Sequence, residues 1–202
     1  MKTRFINGLS LSVFLFAMGF SRPLCAESPA LEYLKTSLAS VQQVLTDPKL
    51  AGDEHLIQRR KLVRAVLQQL FDFPEMSRRS LGANARRHKD RLEEFTPLFV
   101  DFLEHSYMGV LEKNGDAKIQ YGREILDGEN LHIRTKTRLK DGAEYSVDYK
   151  LYLSPTGWRV YDVIVEGISL VNNYRSQFDR LLKKKSFDAV LQDLREKRET
   201  FN

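Results

Sequence analysis

The segment from Trp158 to Phe178 constrains this chain most. Trp158 to Val165 reads as a strand, since β-branched and aromatic residues dominate and neither Pro nor Gly interrupts. Its alternate sets are Trp158, Val160, Asp162, Ile164 and Arg159, Tyr161, Val163, Val165. Both are largely apolar, so the strand is expected to be covered on both faces. Gly167 breaks it, and Ser169 can cap a helix carrying Leu170, Val171, Tyr174, Phe178, Leu181 and Leu182 at helical spacing. A strand greasy on both sides, turning into a helix greasy along one stripe, suits the wall and lid of an apolar interior.

The remaining elements follow from the same periodicities. Ser28-Pro29 starts a helix with the stripe Leu31, Leu34, Leu38, Val41, Leu45, ended at Asp47-Pro48. A second helix is predicted from about Asp53 to Leu70. A short one begins at Asp72 or Phe73, with Pro74 early in it, and stops at Gly82. A long helix from near Asp90 to Glu112 carries Leu92, Phe95, Phe99, Phe102 and Leu103; Pro97 either kinks it or starts a fresh helix after Thr96. After Gly115 the period becomes two, with strands around Ile119–Ile125, Leu131–Thr135 and Tyr145–Leu153 preceding the Trp158 strand. Turn residues such as Asp127-Gly128, Asp141-Gly142 and Ser154-Pro155-Thr156-Gly157 make this an antiparallel meander. A last helix is predicted from about Ser186. The expected fold is one α+β domain over residues 27–202, a twisted antiparallel sheet of four strands or slightly more, packed with several helices around an apolar cavity.

Residues 1–26 stand outside that domain. Lys2 and Arg4 precede the apolar run Leu9–Phe20, and Ala26 offers a cleavage site, the layout of a secretory signal peptide. Cys25 raises acylation as an alternative, but Arg22-Pro23-Leu24 lacks the small residues such a site wants. Cleavage after Ala26 removes Lys2, Arg4 and Arg22 and no acid; 32 basic residues become 29 against 27 acidic, and the charge falls from +5 to +2. The remaining chain has no cysteine, which excludes disulfides and thiolate metal sites.

Motifs for chemistry are sparse. His55, His88, His105 and His132 show no metal-ligand spacing, and there is no Gly-rich phosphate loop. Gly167-Ile168-Ser169-Leu170-Val171 resembles a nucleophile elbow but lacks its second glycine, so an N-cap is the simpler role for Ser169. Asp148 and Asp162 sit on tyrosine-rich strands and are candidates for a buried general base; an ion pair with a neighbouring strand is the ordinary alternative. The basic residues, Arg86-Arg87-His88-Lys89 among them, fall in short runs with no aromatic interleaving, which does not suit nucleic acid. What stands out is twelve Phe and eight Tyr, enough for bulky apolar faces on both sheet and helices.

Two motifs carry a resemblance. Trp158-x-Val160-Tyr161-Asp162-Val163-x-Val165-Glu166-Gly167-x-Ser169-Leu170, followed by Tyr174-Arg175-Ser176-Gln177-Phe178, is similar to the C-terminal signature of the MlaC (toluene-tolerance) family. Phe71-Asp72-Phe73-x-x-Met76-x-Arg78-x-Ser80-Leu81-Gly82 resembles its upstream motif, with Val147-Asp148-Tyr149 matching between them. The segment from Asn84 to Pro97 departs from the family pattern.

The resemblance implies a periplasmic, non-enzymatic phospholipid carrier with no cofactor besides its cargo. Its partners would be the MCE-domain subunit of an inner-membrane ABC transporter and an outer-membrane lipoprotein complex, and its task outer-membrane lipid asymmetry. A hopanoid-associated carrier and an enzyme of NTF2-like fold using Asp148 or Asp162 are the alternatives, with a lipid-free adaptor as a third. Exposing two acyl chains at about 0.8 kcal/mol per methylene costs on the order of 20 kcal/mol, so a carrier must enclose most of both. The expected sheet wall is Tyr149, Leu151, Tyr161, Val163 and Val165. The expected helix walls are Phe71, Phe73, Met76, Phe99, Phe102, Leu103, Tyr107, Leu170, Tyr174 and Phe178. Arg78, Arg175 and Arg180 are candidates for headgroup or partner contact.

Overall fold

The computed structural model describes residues 27–200; the expected signal peptide lies outside them. Among the described residues, seven α-helices and a five-stranded sheet make up the α+β fold. Helix α1 (Pro29–Thr46) starts as predicted, the Ser28 hydroxyl accepting from the Leu31 amide with Pro29 at the first position. Short 3₁₀ turns lead into α2 (Leu56–Leu70), which packs against α1. Asp72 caps α3 (Phe73–Leu81), and Gly82, at φ 57°, ends it with the Arg175 side chain lying over its Cα.

Between Gly82 and the long helix the structure differs from the prediction. A five-residue helix, α4 (Ala83–Arg87), and a 3₁₀ turn at Lys89–Arg91 fill a stretch that carries no apolar periodicity. Asn84 and Ala85 are buried there, so tertiary contact rather than a stripe holds α4. Helix α5 (Leu92–Lys113) runs continuously through Pro97, which sits in its second turn and forfeits one intrahelical bond.

The meander comprises β1 (Lys118–Asp127), β2 (Asn130–Arg138), β3 (Glu144–Ser154) and β4 (Gly157–Val165), all antiparallel neighbours. A fifth strand of two residues, β5 (Ile168–Ser169), turns back on β4 through Glu166-Gly167, both at positive φ. Helices α6 (Leu170–Leu182) and α7 (Phe187–Thr200) close the chain. Phe71 forms an isolated parallel bridge to Val160, and the Asp72 amide donates to the Val160 carbonyl at 2.8 Å. The link between α2 and α3 therefore ties the helices to β4. Among the described residues no helix is long and apolar enough to cross a membrane.

Candidate functional site

The sheet wall depends on one irregularity. Along β3 and β4, Tyr149 faces Val163 and Lys150 faces Asp162, but Leu151 faces Val160, so one residue of β4 is extra. That bulge returns Val160 and Val163 to the same face although three positions separate them. Tyr149, Leu151 and Val163 accordingly stand together with Ile133 and Val160 against Ala30, Leu31 and Leu34 of α1 and Leu70 of α2. Tyr161, expected on this wall, is the bulged residue and is turned away from it. Its ring lies 6.0 Å from that of Tyr152 with the Arg79 guanidinium 4.0 Å above it. Strict alternation fails here because a bulge is invisible to periodicity. Val165 shares the wall's face through its pairing with Val147 but lies at the rim, 44% exposed, near the exposed Tyr145 and Ile168.

The helix-borne candidates form a separate cluster. Met76, Phe99, Leu103, Tyr174 and Phe178 are buried together, with Phe71, Phe73, Phe102 and Leu170 half-buried against them. The rings interlock edge to face: Phe99 is 5.2 Å from Tyr174 and 5.5 Å from Phe178, and Phe102 is 5.6 Å from Tyr174. Tyr107 lies at the margin, 39% exposed, its hydroxyl 3.4 Å from that of Tyr174. Burial, reinforced by the Tyr107 hydroxyl, pushes the Tyr174 phenol well above its ordinary range, so this polar spot stays neutral.

Phe71 packs against both clusters. Twelve of the fifteen expected site residues thus fall in two apolar layers that meet at the α2–α3 link, while Tyr107, Tyr161 and Val165 lie outside both. On the outer side of the helical layer a cleft of about 350 Å³ opens, lined by Phe102, Tyr174, Gln177, Phe178, Leu181, Val190, Asp193, Leu194, Glu196 and Lys197. At about 30 Å³ per water-sized group, it holds roughly a dozen methylenes, less than one long acyl chain. The α7 contribution was not foreseen as wall: the stripe Phe187, Val190, Leu191, Leu194 marks an inward face without saying what it faces.

The carboxylates have structural partners. Asp148 accepts from the Thr135 amide and the Ser146 hydroxyl, both at 3.2 Å, and lies 2.9 Å from His132 Nε2 and 3.8 Å from Arg134. Asp162 accepts from the Ser169 hydroxyl at 2.6 Å and the Val171 amide at 3.0 Å, while Ser169 in turn accepts from the Asn172 amide. Ser169 is an N-cap, and Asp162 extends that cap. Of the arginines, Arg78 pairs with Glu75, Arg175 donates to the Arg79 carbonyl, and Arg180 is exposed.

An apolar sheet face and an aromatic helical layer make up the interior of this α+β scaffold. Residues 35–196 match the family described as MlaC protein, and the chain belongs to that family. A solved structure of similar fold is a phospholipid-binding protein from Ralstonia solanacearum in complex with a phospholipid. It is 23% identical, with a TM-score of 0.76 over 86% of this chain and 99% of that one. No curated protein matches the chain.

Proposed function

We propose that this protein binds a phospholipid by its acyl tails and carries it across the periplasm. In this reading residues 1–26 direct export and are removed. The loaded carrier exchanges lipid with the MCE-domain subunit of an inner-membrane ABC transporter and with an outer-membrane lipoprotein complex, maintaining outer-membrane asymmetry. Membership of the MlaC family and a fold shared with a phospholipid-bound protein support this. The observation that carries it is the division of the apolar interior into two layers. Half-buried Val163 belongs to one, half-buried Phe73, Phe102 and Leu170 to the other, and Phe71 touches both.

Tails entering between such layers exchange one apolar environment for another. Net free-energy changes are then small, and no catalytic residue is needed. The exposed rim of Tyr145, Val165 and Ile168 is where tails first meet the protein. The Tyr107–Tyr174 hydroxyl pair suits the level of the glycerol esters.

Organic extraction of purified protein followed by mass spectrometry tests the reading. Wild type is expected to release phospholipid; a hopanoid in its place would identify the alternative cargo. Val163→Arg and Phe102→Arg are each expected to abolish co-purified lipid while the far-ultraviolet circular dichroism is kept. Wild-type amounts of lipid in both variants overturn the placement, and an empty wild-type extract overturns the carrier.

A further inference from the structure

Two basic runs nearly a hundred residues apart in sequence lie side by side in the fold. The first spans α4 and the turn after it; the second ends α6. They are fastened at both ends: Asn84 donates to Asp179 at 2.7 Å, and the His88 ring stacks on Phe187 at 4.2 Å. Arg91 also pairs with Asp188 at 2.9 Å. Between these ties stand Arg86, Arg87, Lys89, Arg180, Lys183 and Lys184, all exposed. Among the described residues none of the six has a carboxylate partner, whereas the neighbouring Lys185 is paired with Asp193 at 2.7 Å. Favourable interaction with the C-terminal end of α6 accounts for a lysine or two in its last turn. It does not account for a second run placed against the first.

The character of the face selects its occupant. Protein interfaces are depleted in Lys and are anchored by buried aromatic or apolar residues. No large apolar side chain is exposed in either run. A diffuse array of long cations, without a shaped pocket or an anchor, matches a diffuse array of phosphates. We propose that this face docks the protein on the surface of an anionic phospholipid bilayer. Leu181, which lies between Arg180 and Lys183 in α6, lines the cleft between α6 and α7, as does the Lys185 partner Asp193. Docking therefore sets the cleft beside the headgroups. The inference stands whether or not the protein carries lipid.

The test is co-sedimentation of the full chain, as exported and purified, with phosphatidylglycerol–phosphatidylcholine vesicles at low and high salt. Pure phosphatidylcholine vesicles serve as reference. Wild type is expected to partition onto the anionic vesicles at low salt and leave them at high salt. Each basic residue near an anionic surface contributes about fivefold in partitioning. Arg86→Gln, Arg87→Gln, Lys183→Gln and Lys184→Gln combined remove four charges and should then weaken it by about two to three orders of magnitude. The matching set of glutamates, which reverses the four charges, should weaken it further, at an unchanged urea midpoint. Lys118→Glu with Lys136→Glu, on the outer sheet face, should leave it within a few fold. Equal partitioning of wild type onto neutral and anionic vesicles overturns the proposal. So does a charge-reversed protein that binds like wild type, or an equal loss in the sheet variant. Retention by an acidic protein surface without retention by anionic vesicles likewise assigns the face to a protein partner and overturns it.

Discussion

Replacing Asp162 tests whether its carboxylate is a fastening or a catalyst. It is buried on β4, and its two oxygens take the Ser169 hydroxyl at 2.6 Å and the Val171 amide at 3.0 Å, the latter an otherwise free donor of the first α6 turn. Bonds to an ionised acceptor contribute about 1.5–3 kcal/mol each, and a negative charge near a helix N-terminus adds up to about 1 kcal/mol. The two bonds are not independent, so Asp162→Ala should cost about 3 kcal/mol, a loss of roughly 6–12 °C in melting temperature for a chain of this size. Asp162→Asn should cost only about 1 kcal/mol. Its carbonyl keeps the Val171 bond and its amide donates to the Ser169 oxygen, so only the charge is lost. Urea denaturation followed by circular dichroism reads both, and lipid extraction from the folded variants should recover cargo from each. If both variants lost the same stability, the cap geometry would be the wrong account. If Asp162→Asn kept full stability but lost cargo, the carboxylate would belong to the ligand site instead.

Leu151→Ala, at a fully buried position of the sheet wall, should cost about 2–5 kcal/mol in urea, and a loss under 1 kcal/mol would mean the wall is not packed as described. Burial alone would raise the Glu75 carboxyl, but hydrogen bonds from Arg78 and Arg79 outweigh it and hold it below the usual 4.5. A depressed folded value gives stability that is present above the unfolded value and lost as pH falls through the folded one. Glu75→Gln should therefore be less stable than wild type at neutral pH and equal to it in strong acid, and a gap that persists in acid would contradict this. Burial, with the hydrogen bond to Asp72, pushes the Tyr152 phenol up to about 12. Tyr152→Phe should accordingly leave the absorbance titration of the other tyrosines below pH 11 unchanged, and a loss of absorbance change there would show that Tyr152 ionises earlier.

Much of the fold was legible along the chain because the signals are local. Ser28-Pro29, Asp72 through Pro74, and Ser169 are caps whose hydrogen bonds reach only three residues on, so spacing alone reveals them. The meander was readable from its turns, although β5 was not, since two residues carry no period. Of the site, Tyr149, Leu151 and Val163 were placed together by alternation and pairing, and the α3, α5 and α6 stripes yielded the aromatic layer. Tyr161 lies off the wall because it is the bulged residue, which alternation from Val163 and Val165 does not reveal. That the expected sheet wall and helix walls lie in two separate layers was not legible for a similar reason. Periodicity marks which side of an element is apolar but not which other element covers it.

By itself the sequence determined where the helices and strands lie, the greasy face of each and, through the Trp158–Phe178 and Phe71–Gly82 motifs, the family. Those properties depend on dihedral preference and side-chain period, which act within a few residues. Only the tertiary structure decided that the apolar residues divide into two layers joined at Phe71, that Asp162 anchors α6, and that Arg86–Lys89 lies against Lys183–Lys185. The layers and the paired basic runs depend on contacts between residues far apart in sequence. The Asp162 anchor depends on partners seven and nine positions on, across a strand-to-helix turn. Such contacts exist only once the chain has packed.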